Sequence, residues 1–327
     1  MGVLLSSRFR DMNWMPNLGG NKPIIPILTG PTGSGKTAVV NRLLEVNPEL
    51  HIISADSRQI YKYLDIGTDK PPQSELDKHN YHFVDFVLPG KRYTAFDFVE
   101  DAREIISELL EKETLPIICG GTGLYIKSLA EGIAELPDDD LAIRRNLENE
   151  AVEKGPKFLY EKLQEIDPDE ASRIHPNNIR KVIRGLEIYY LTGRPKSRIT
   201  AEREIDYPYR FDIICLMPSR ERLYENINAR VDNMMKDGLM AEIESLYNLG
   251  FADKVKGINV IGYNELFRYF DDQISLSVAV NLIKQNSRRF AKRQITWFRG
   301  MRNLKMFDTS DSALQYLLGF WPPKIKT

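Results

Sequence analysis

Apolar residues in this chain fall into two kinds of run. Short unbroken runs alternate with longer stretches in which apolar positions recur every three or four residues, the spacings of buried strands and amphipathic helices. Ile24–Thr29 is the first short run, interrupted by Pro26, and it predicts a strand. A glycine-rich loop, Gly30–Gly35, follows, and then Val39, Val40, Leu43 and Leu44 mark one side of a helix. Leu50–Ser54 predicts a second strand. From Tyr93 to Lys112 the helical spacing returns in Phe96, Val99, Ala102, Ile105, Ile106, Leu109 and Leu110, with Thr94 placed to cap the helix. Pro116–Cys119 predicts a third strand, stopped by Gly120-Gly121. Strands that alternate with helices predict an α/β fold: a mostly parallel sheet with helices on both faces.

The pattern changes after about residue 132. Residues 133–204 are charged, helical in spacing and poor in strands, with Pro137, Pro156, Pro168, Pro176 and Pro195 as breaks. They predict an all-helical insertion domain. The α/β pattern resumes with a strand at Phe211–Leu216, helices from Ser219 to Leu249 ended by Gly250, and a long helix from about Ser275 to Phe298. The expected organisation is a flexible extension over 1–21, a first core part over 22–132, the insertion over 133–204, and a second core part with basic helices over 205–327.

Composition is that of an ordinary soluble protein: 327 residues, 42% hydrophobic and 28% charged. The net charge of -1 hides a segregation that changes the picture. Between Gln273 and Phe307 there is no Asp or Glu, yet Lys284, Arg288, Arg289, Lys292, Arg293, Arg299, Arg302 and Lys305 all lie there. A second basic stretch, Arg173–Arg198, has Glu187 as its only acid, while Glu135–Glu170 is acidic. Basic stretches set apart in this way point to a polyanionic partner, with Lys292 and Arg293 among the residues expected to grip its phosphates. Cys119 and Cys215 form no CxxC pair, which argues against a zinc site or a disulfide framework and fits a reducing cytoplasm. No apolar run is long enough to span a membrane, and a monomer is expected.

The strongest chemical signal is Gly30-Pro31-Thr32-Gly33-Ser34-Gly35-Lys36-Thr37, which fits G-x-x-x-x-G-K-[ST] between a strand and a helix. Glycines there let main-chain N–H groups turn inward around an anion, and the helix start adds partial positive charge. Lys36 is placed to balance phosphate oxygens and the Thr37 hydroxyl to hold Mg²⁺. The fold is thus expected to be P-loop NTPase-like. ATP is the default ligand of such a loop, but any organic diphosphate satisfies the same donors. Asp56, at the end of the second strand, lies where open α/β sheets bind ligands. Three readings stay open for it: a Mg²⁺ ligand through water, a general base, or a loop residue capping its own backbone. Gly120-Gly121-Thr122-Gly123 is either a second ligand-facing turn or a simple strand-to-helix connection. Tyr81-His82-Phe83-Val84-Asp85 invites a His/Asp pair, but the four histidines show no metal spacing, and His82 reads as packed and hydrogen-bonded.

Taken together, these residues resemble the bacterial-type tRNA dimethylallyltransferases. The likeness covers the loop 30–37, Asp56-Ser57-Arg58-Gln59-Ile60-Tyr61, Asp65-Ile66-Gly67-Thr68 and Gly120-Gly121-Thr122-Gly123-Leu124-Tyr125. It continues through Arg184-Gly185-Leu186-Glu187-Ile188, Thr192-Gly193, Arg230-Val231-Asp232, Gly262-Tyr263 and Ala291-Lys292-Arg293-Gln294-Ile295-Thr296-Trp297-Phe298-Arg299, so it spans roughly residues 24–300. The resemblance implies that the loop holds dimethylallyl diphosphate, and that Asp56 is the general base. It implies that Thr122 lies near the adenine and that Arg230 contacts the diphosphate. It implies tRNA contacts at Asp56, Ser57, Arg58, Gln59, Thr122, Arg144, Arg180, Lys181, Val182, Ile183 and Arg184, and more loosely over Gly257–Asn264. The reaction so implied is prenylation of the exocyclic amine of the adenosine 3′-adjacent to the anticodon. Rival readings are a small-molecule kinase on the same loop, a prenyltransferase acting on free AMP, and a non-catalytic RNA-binding ATPase. Tyr125 and Trp297 are either core aromatics or stacking surfaces for bases.

Overall fold

A computed structural model describes residues 22–202 and 207–321; the expected extension over 1–21 lies outside these described residues. The chain divides into two compact units, one made of residues 131–206 and the other of the residues on either side.

The larger unit is built on a six-stranded sheet: β1 (Ile24–Thr29), β2 (His51–Ser54), β3 (Asn80–His82), β4 (Ile117–Gly120), β5 (Arg210–Leu216) and β6 (Leu304–Phe307). Strand order is β3-β2-β4-β1-β5-β6, and every pairing is parallel. The helices before the insertion are α1 (Lys36–Val46), α2 (Gln73–Lys78), α3 (Ala95–Glu111) and α4 (Gly123–Glu131). Parallel strands require crossover connections: α1 lies between β1 and β2, α2 between the neighbours β2 and β3, and α3 between β3 and β4. Within α3 the predicted face is the buried one, with Phe98, Val99, Ala102, Ile106, Leu109 and Leu110 inside. Thr94 caps it reciprocally: its hydroxyl accepts from the Asp97 N–H, and Asp97 accepts from the Thr94 N–H.

The 131–206 unit contains α5 (Leu141–Lys154), α6 (Pro156–Ile166), α7 (Pro168–Ala171), α8 (Ile179–Thr192) and α9 (Lys196–Ala201). Its core is Leu147, Leu159, Leu163, Ala171, Ile174, Val182, Ile183 and Leu186. Beyond it the larger unit adds α10 (Arg220–Lys236), α11 (Leu239–Asn248), α12 (Ala252–Ile258), α13 (Tyr263–Phe270), α14 (Leu276–Arg299) and α15 (Ser310–Leu318). One core cluster packs α1 and α15 on the sheet through Val39, Val40, Leu43, Leu44, Leu314 and Leu317. Among the described residues no helix is long and apolar enough to cross a membrane.

Order in the sheet decides what meets what. Strands β2, β4 and β1 are neighbours, so their C-terminal ends deliver Asp56, Thr122 and the 30–37 loop to one sheet edge. That edge is where open α/β sheets hold ligands.

Candidate active site

The loop after β1 owes its shape to close backbone contacts. Gly30 has a φ of 148°, and a Cβ there would stand 2.3 Å from the Leu216 carbonyl oxygen at the end of β5. Only glycine fits. Gly33 and Gly35 also take positive φ, and the loop runs into α1 at Lys36. Lys36 donates from Nζ to the Gly30 and Pro31 carbonyls, at 2.9 and 3.0 Å, and so closes the loop on itself. Burial lowers the pKa of its ammonium; Cys119 and Asp56 pull it back up, and Arg230 pushes it further down. The Cys119 thiol is itself pushed up to about 11 by burial, so it is neutral near pH 7. Ser34 Oγ is buried without a hydrogen-bond partner inside the loop. An orphaned buried hydroxyl is costly, and it is compatible with a loop shaped to take a ligand rather than to satisfy itself.

Around this loop the remaining groups converge. Arg230, on α10, donates from Nη1 to Thr32 Oγ1 at 2.8 Å and lies 3.6 Å from Asp69. Asn226, one turn earlier, donates to the Gly33 carbonyl at 2.9 Å. On the other side, Asp56 Oδ1 accepts from the Arg58 N–H at 2.8 Å and the Gln59 N–H at 3.4 Å. The carboxylate therefore does cap its own turn, and among the described residues no hydrogen bond engages its second oxygen. The Thr122 hydroxyl accepts from the Ser57 N–H at 2.9 Å and donates to Ser57 Oγ at 3.2 Å. The Thr122 N–H in turn donates to the Ala55 carbonyl at 3.1 Å. The turns after β2 and β4 are thus stitched together, with Asp56 between them. Gln59 extends the stitching by donating from Nε2 to the Asp69 carbonyl at 2.8 Å.

A cleft of about 570 Å³ adjoins Arg230, lined also by Asp65, Asp69, Lys70, Asp85 and Met234. Among the described residues no group of three or more His, Cys, Asp or Glu could hold a metal ion. Thr37, the second residue of α1, is exposed. One hydroxyl beside a diphosphate fits a hard cation that keeps its waters and takes its other oxygens from the ligand; it does not fit a caged metal.

The sequence profile of the IPP transferase family matches residues 59–301. The chain belongs to the IPP transferase family. It is 43% identical over 303 residues to a tRNA dimethylallyltransferase of Bacillus cereus (strain ATCC 10987 / NRS 248), an alignment covering 90% of this chain and 94% of that one. Among solved structures it is similar to the tRNA isopentenylpyrophosphate transferase of Bacillus halodurans, with 37% identity, a TM-score of 0.64 and coverage of 92% and 95% of the two chains. It is also similar to a eukaryotic dimethylallyltransferase acting on tRNA, with 27% identity, a TM-score of 0.68 and coverage of 84% and 70%.

In this IPP transferase the sequence-predicted RNA contacts divide. Arg180, Lys181, Lys292 and Arg293 are exposed. Val182 and Ile183 are not: they are 0% and 6% exposed in the 131–206 core, so their side chains pack the insertion and cannot touch RNA. Arg144 and Arg184 point their guanidiniums at Glu187 and Asp139, at 2.6–3.2 Å, and hold the insertion together. Two of the acid-free basic residues are likewise engaged, Lys284 with Asp232 at 2.6 Å and Lys305 with Asp212 at 2.7 Å. Tyr125 is a core residue, 4% exposed and stacked on Phe98 at 4.5 Å. His82 is hydrogen-bonded as expected, its Nε2 lying 2.9 Å from His51 Nδ1.

Sequence reasoning gave Gln294 no role. Its side chain is buried on the inner face of α14. There it accepts from the Thr32 N–H at 2.9 Å and donates to the Gly121 carbonyl at 2.9 Å, bridging the 30–37 loop and the turn that carries Thr122. The signal was present: Ala291, Gln294 and Phe298 share one helical face, and a glutamine on an apolar face has a partner to find.

Proposed function

We propose that this protein transfers a dimethylallyl group from dimethylallyl diphosphate to the exocyclic amine of an adenosine in tRNA, the one 3′-adjacent to the anticodon. What carries the reading is the stitched pair of turns at Ser57 and Thr122. It sets the Asp56 carboxylate beside a loop whose amides, Lys36 and Arg230 form an anion cradle. The names of its relatives in the IPP transferase family support the substrate pair.

The amine nitrogen attacks the allylic carbon, the carbon–oxygen bond to diphosphate breaks with its electron pair leaving on oxygen, and the amine proton passes to Asp56. Delocalisation into the purine makes that amine a weak nucleophile, and a positioned base offsets this by typically ~10²–10⁴-fold. Negative charge grows on the leaving oxygens, and Lys36, Arg230 and the remaining loop amides are the groups close enough to turn towards it and stabilise it, Lys36 by giving up its bonds to the Gly30 and Pro31 carbonyls. Thr37 would hold Mg²⁺ against the same oxygens, and bound there the cation would add to that stabilisation. To reach Asp56 the adenosine leaves its stack, at a cost of a few kcal/mol. Arg58 and Gln59 sit on the turn beside it, and Arg180, Lys181, Lys292 and Arg293 supply phosphate contacts.

The test uses labelled dimethylallyl diphosphate with unmodified tRNA, with AMP, or with no acceptor. Label should enter tRNA alone. Label in AMP, or phosphorylation that requires ATP, would overturn the reading.

A further inference from the structure

Helix α14 carries two different faces. Ala291, Gln294 and Phe298 are buried. Phe290 and Trp297, by contrast, are 38% and 42% exposed. Arg293 lies between them in sequence, at helical spacings of three and four, so the three side chains form one column. The Arg293 guanidinium sits 5.6 Å from the centre of the Phe290 ring. Scattered exposed apolar residues are normal on a soluble protein. An aromatic–cation–aromatic column in a stretch without a single acid is a more specific arrangement.

Its place matters as much as its make-up. Trp297 Cδ1 and Nε1 both stand 2.4 Å from where a Gly123 Cβ would be, so the indole lies directly on the turn after β4. Gly123 follows Thr122, which is stitched to the Asp56 turn. The column thus begins beside the turn that carries Thr122. From Phe290 to Trp297 the helix rises ~10 Å, about the length of three nucleotides at 3.4 Å each.

We propose that Phe290, Arg293 and Trp297 are a stacking rail for the unpaired nucleotides flanking the adenosine that enters the site. The proposal rests on the tRNA reading above and names how the RNA loop is held beyond its phosphates. Every base has a π-face, so aromatic rings and the flat face of a guanidinium grip unpaired bases regardless of sequence, while the N–H edge of the Arg293 guanidinium serves the phosphate contact proposed for it above. A duplex hides those faces, so the rail selects unpaired loop over stem. A protein partner would find a flanking surface of like charges, from Arg289, Lys292 and Arg299, that suits phosphates better.

The test compares Trp297→Ala, Trp297→Phe and Phe290→Ala with wild type in the full-length protein. Binding is measured to an unmodified anticodon stem-loop and to a blunt RNA duplex of equal length, over a range of salt. Trp297→Ala should bind the stem-loop about ten- to a hundred-fold more weakly, with duplex binding, the salt slope and the KM for dimethylallyl diphosphate unchanged. Trp297→Phe should retain most of the affinity, and Phe290→Ala should lose part of it. Wild-type-like stem-loop binding in both alanine variants would overturn the rail. So would an equal loss on duplex, or a raised KM for the diphosphate, which would make Trp297 a mere prop for the Gly123 turn. If wild-type protein itself transfers no label to tRNA, the prenyl-transfer reading fails first and takes the rail with it.

Discussion

Asp56 Oδ1 is held by the Arg58 and Gln59 amides, and this fixes the carboxylate plane without consuming its second oxygen. The capping reading and the base reading, rivals when only the sequence is considered, are therefore compatible in one side chain. Lys36 offers a second residue-scale consequence. Burial lowers its pKa, so the free protein loses the ammonium at a lower pH than an exposed lysine would. The charged form is the one that attracts diphosphate, and bound diphosphate pulls the pKa back up. The alkaline fall in kcat/KM for dimethylallyl diphosphate should therefore begin below the ordinary lysine range, and the fall in kcat should begin at higher pH. Lys36→Arg, which does not titrate there, should lose this limb; a limb that persists in the arginine variant would assign it to another group. The loop itself was legible in the sequence because its chemistry is local: glycines, lysine and threonine in eight consecutive residues. Gln294 and Asp69 were not, because each acts on partners far away in the chain.

At the scale of elements, long periodic segments were readable and short ones were not. Helix α3 is close to its predicted span, cap included, because seventeen residues carry a clear 3.6 period. Strands β3 and β6 are three and four residues long, half-exposed, and at the sheet edges, so no apolar run announced them. Helix α8 shows how a likeness can mislead. Arg180–Arg184 reads as one RNA-contacting segment by resemblance, yet a helix cannot turn five consecutive side chains the same way. Val182 and Ile183 go inside, beside a fully buried Glu187. Glu187 accepts from Arg144, Arg184 and the Asp140 N–H, which ties the start of α5 to α8 through one carboxylate. Glu187→Ala should cost about 3 kcal/mol, read as a lower urea midpoint for the insertion's unfolding. An unchanged midpoint would mean that the two arginines are satisfied elsewhere.

For the whole molecule, a parallel sheet gathers the chemistry at one edge, and charge segregation decides what approaches it. The alternation of strands and helices predicted that sheet, and all of its pairings are parallel. Sequence alone overstated the free positive charge, since Lys284 and Lys305 are paired with aspartates distant in the chain. Exposed Lys292 and Arg293 are better candidates for phosphate contacts. Changing both to alanine should weaken tRNA binding and reduce the slope of log K against log salt by roughly 1.5. An unaltered slope would move the RNA surface off this helix. Wild type and Asp56→Asn offer the most direct comparison, because asparagine keeps the oxygen that caps the turn and removes the base. Transfer of labelled dimethylallyl groups to unmodified tRNA should fall by about 10²–10⁴-fold while tRNA affinity stays as in wild type; turnover at the wild-type rate would contradict the assignment of Asp56 and the mechanism built on it.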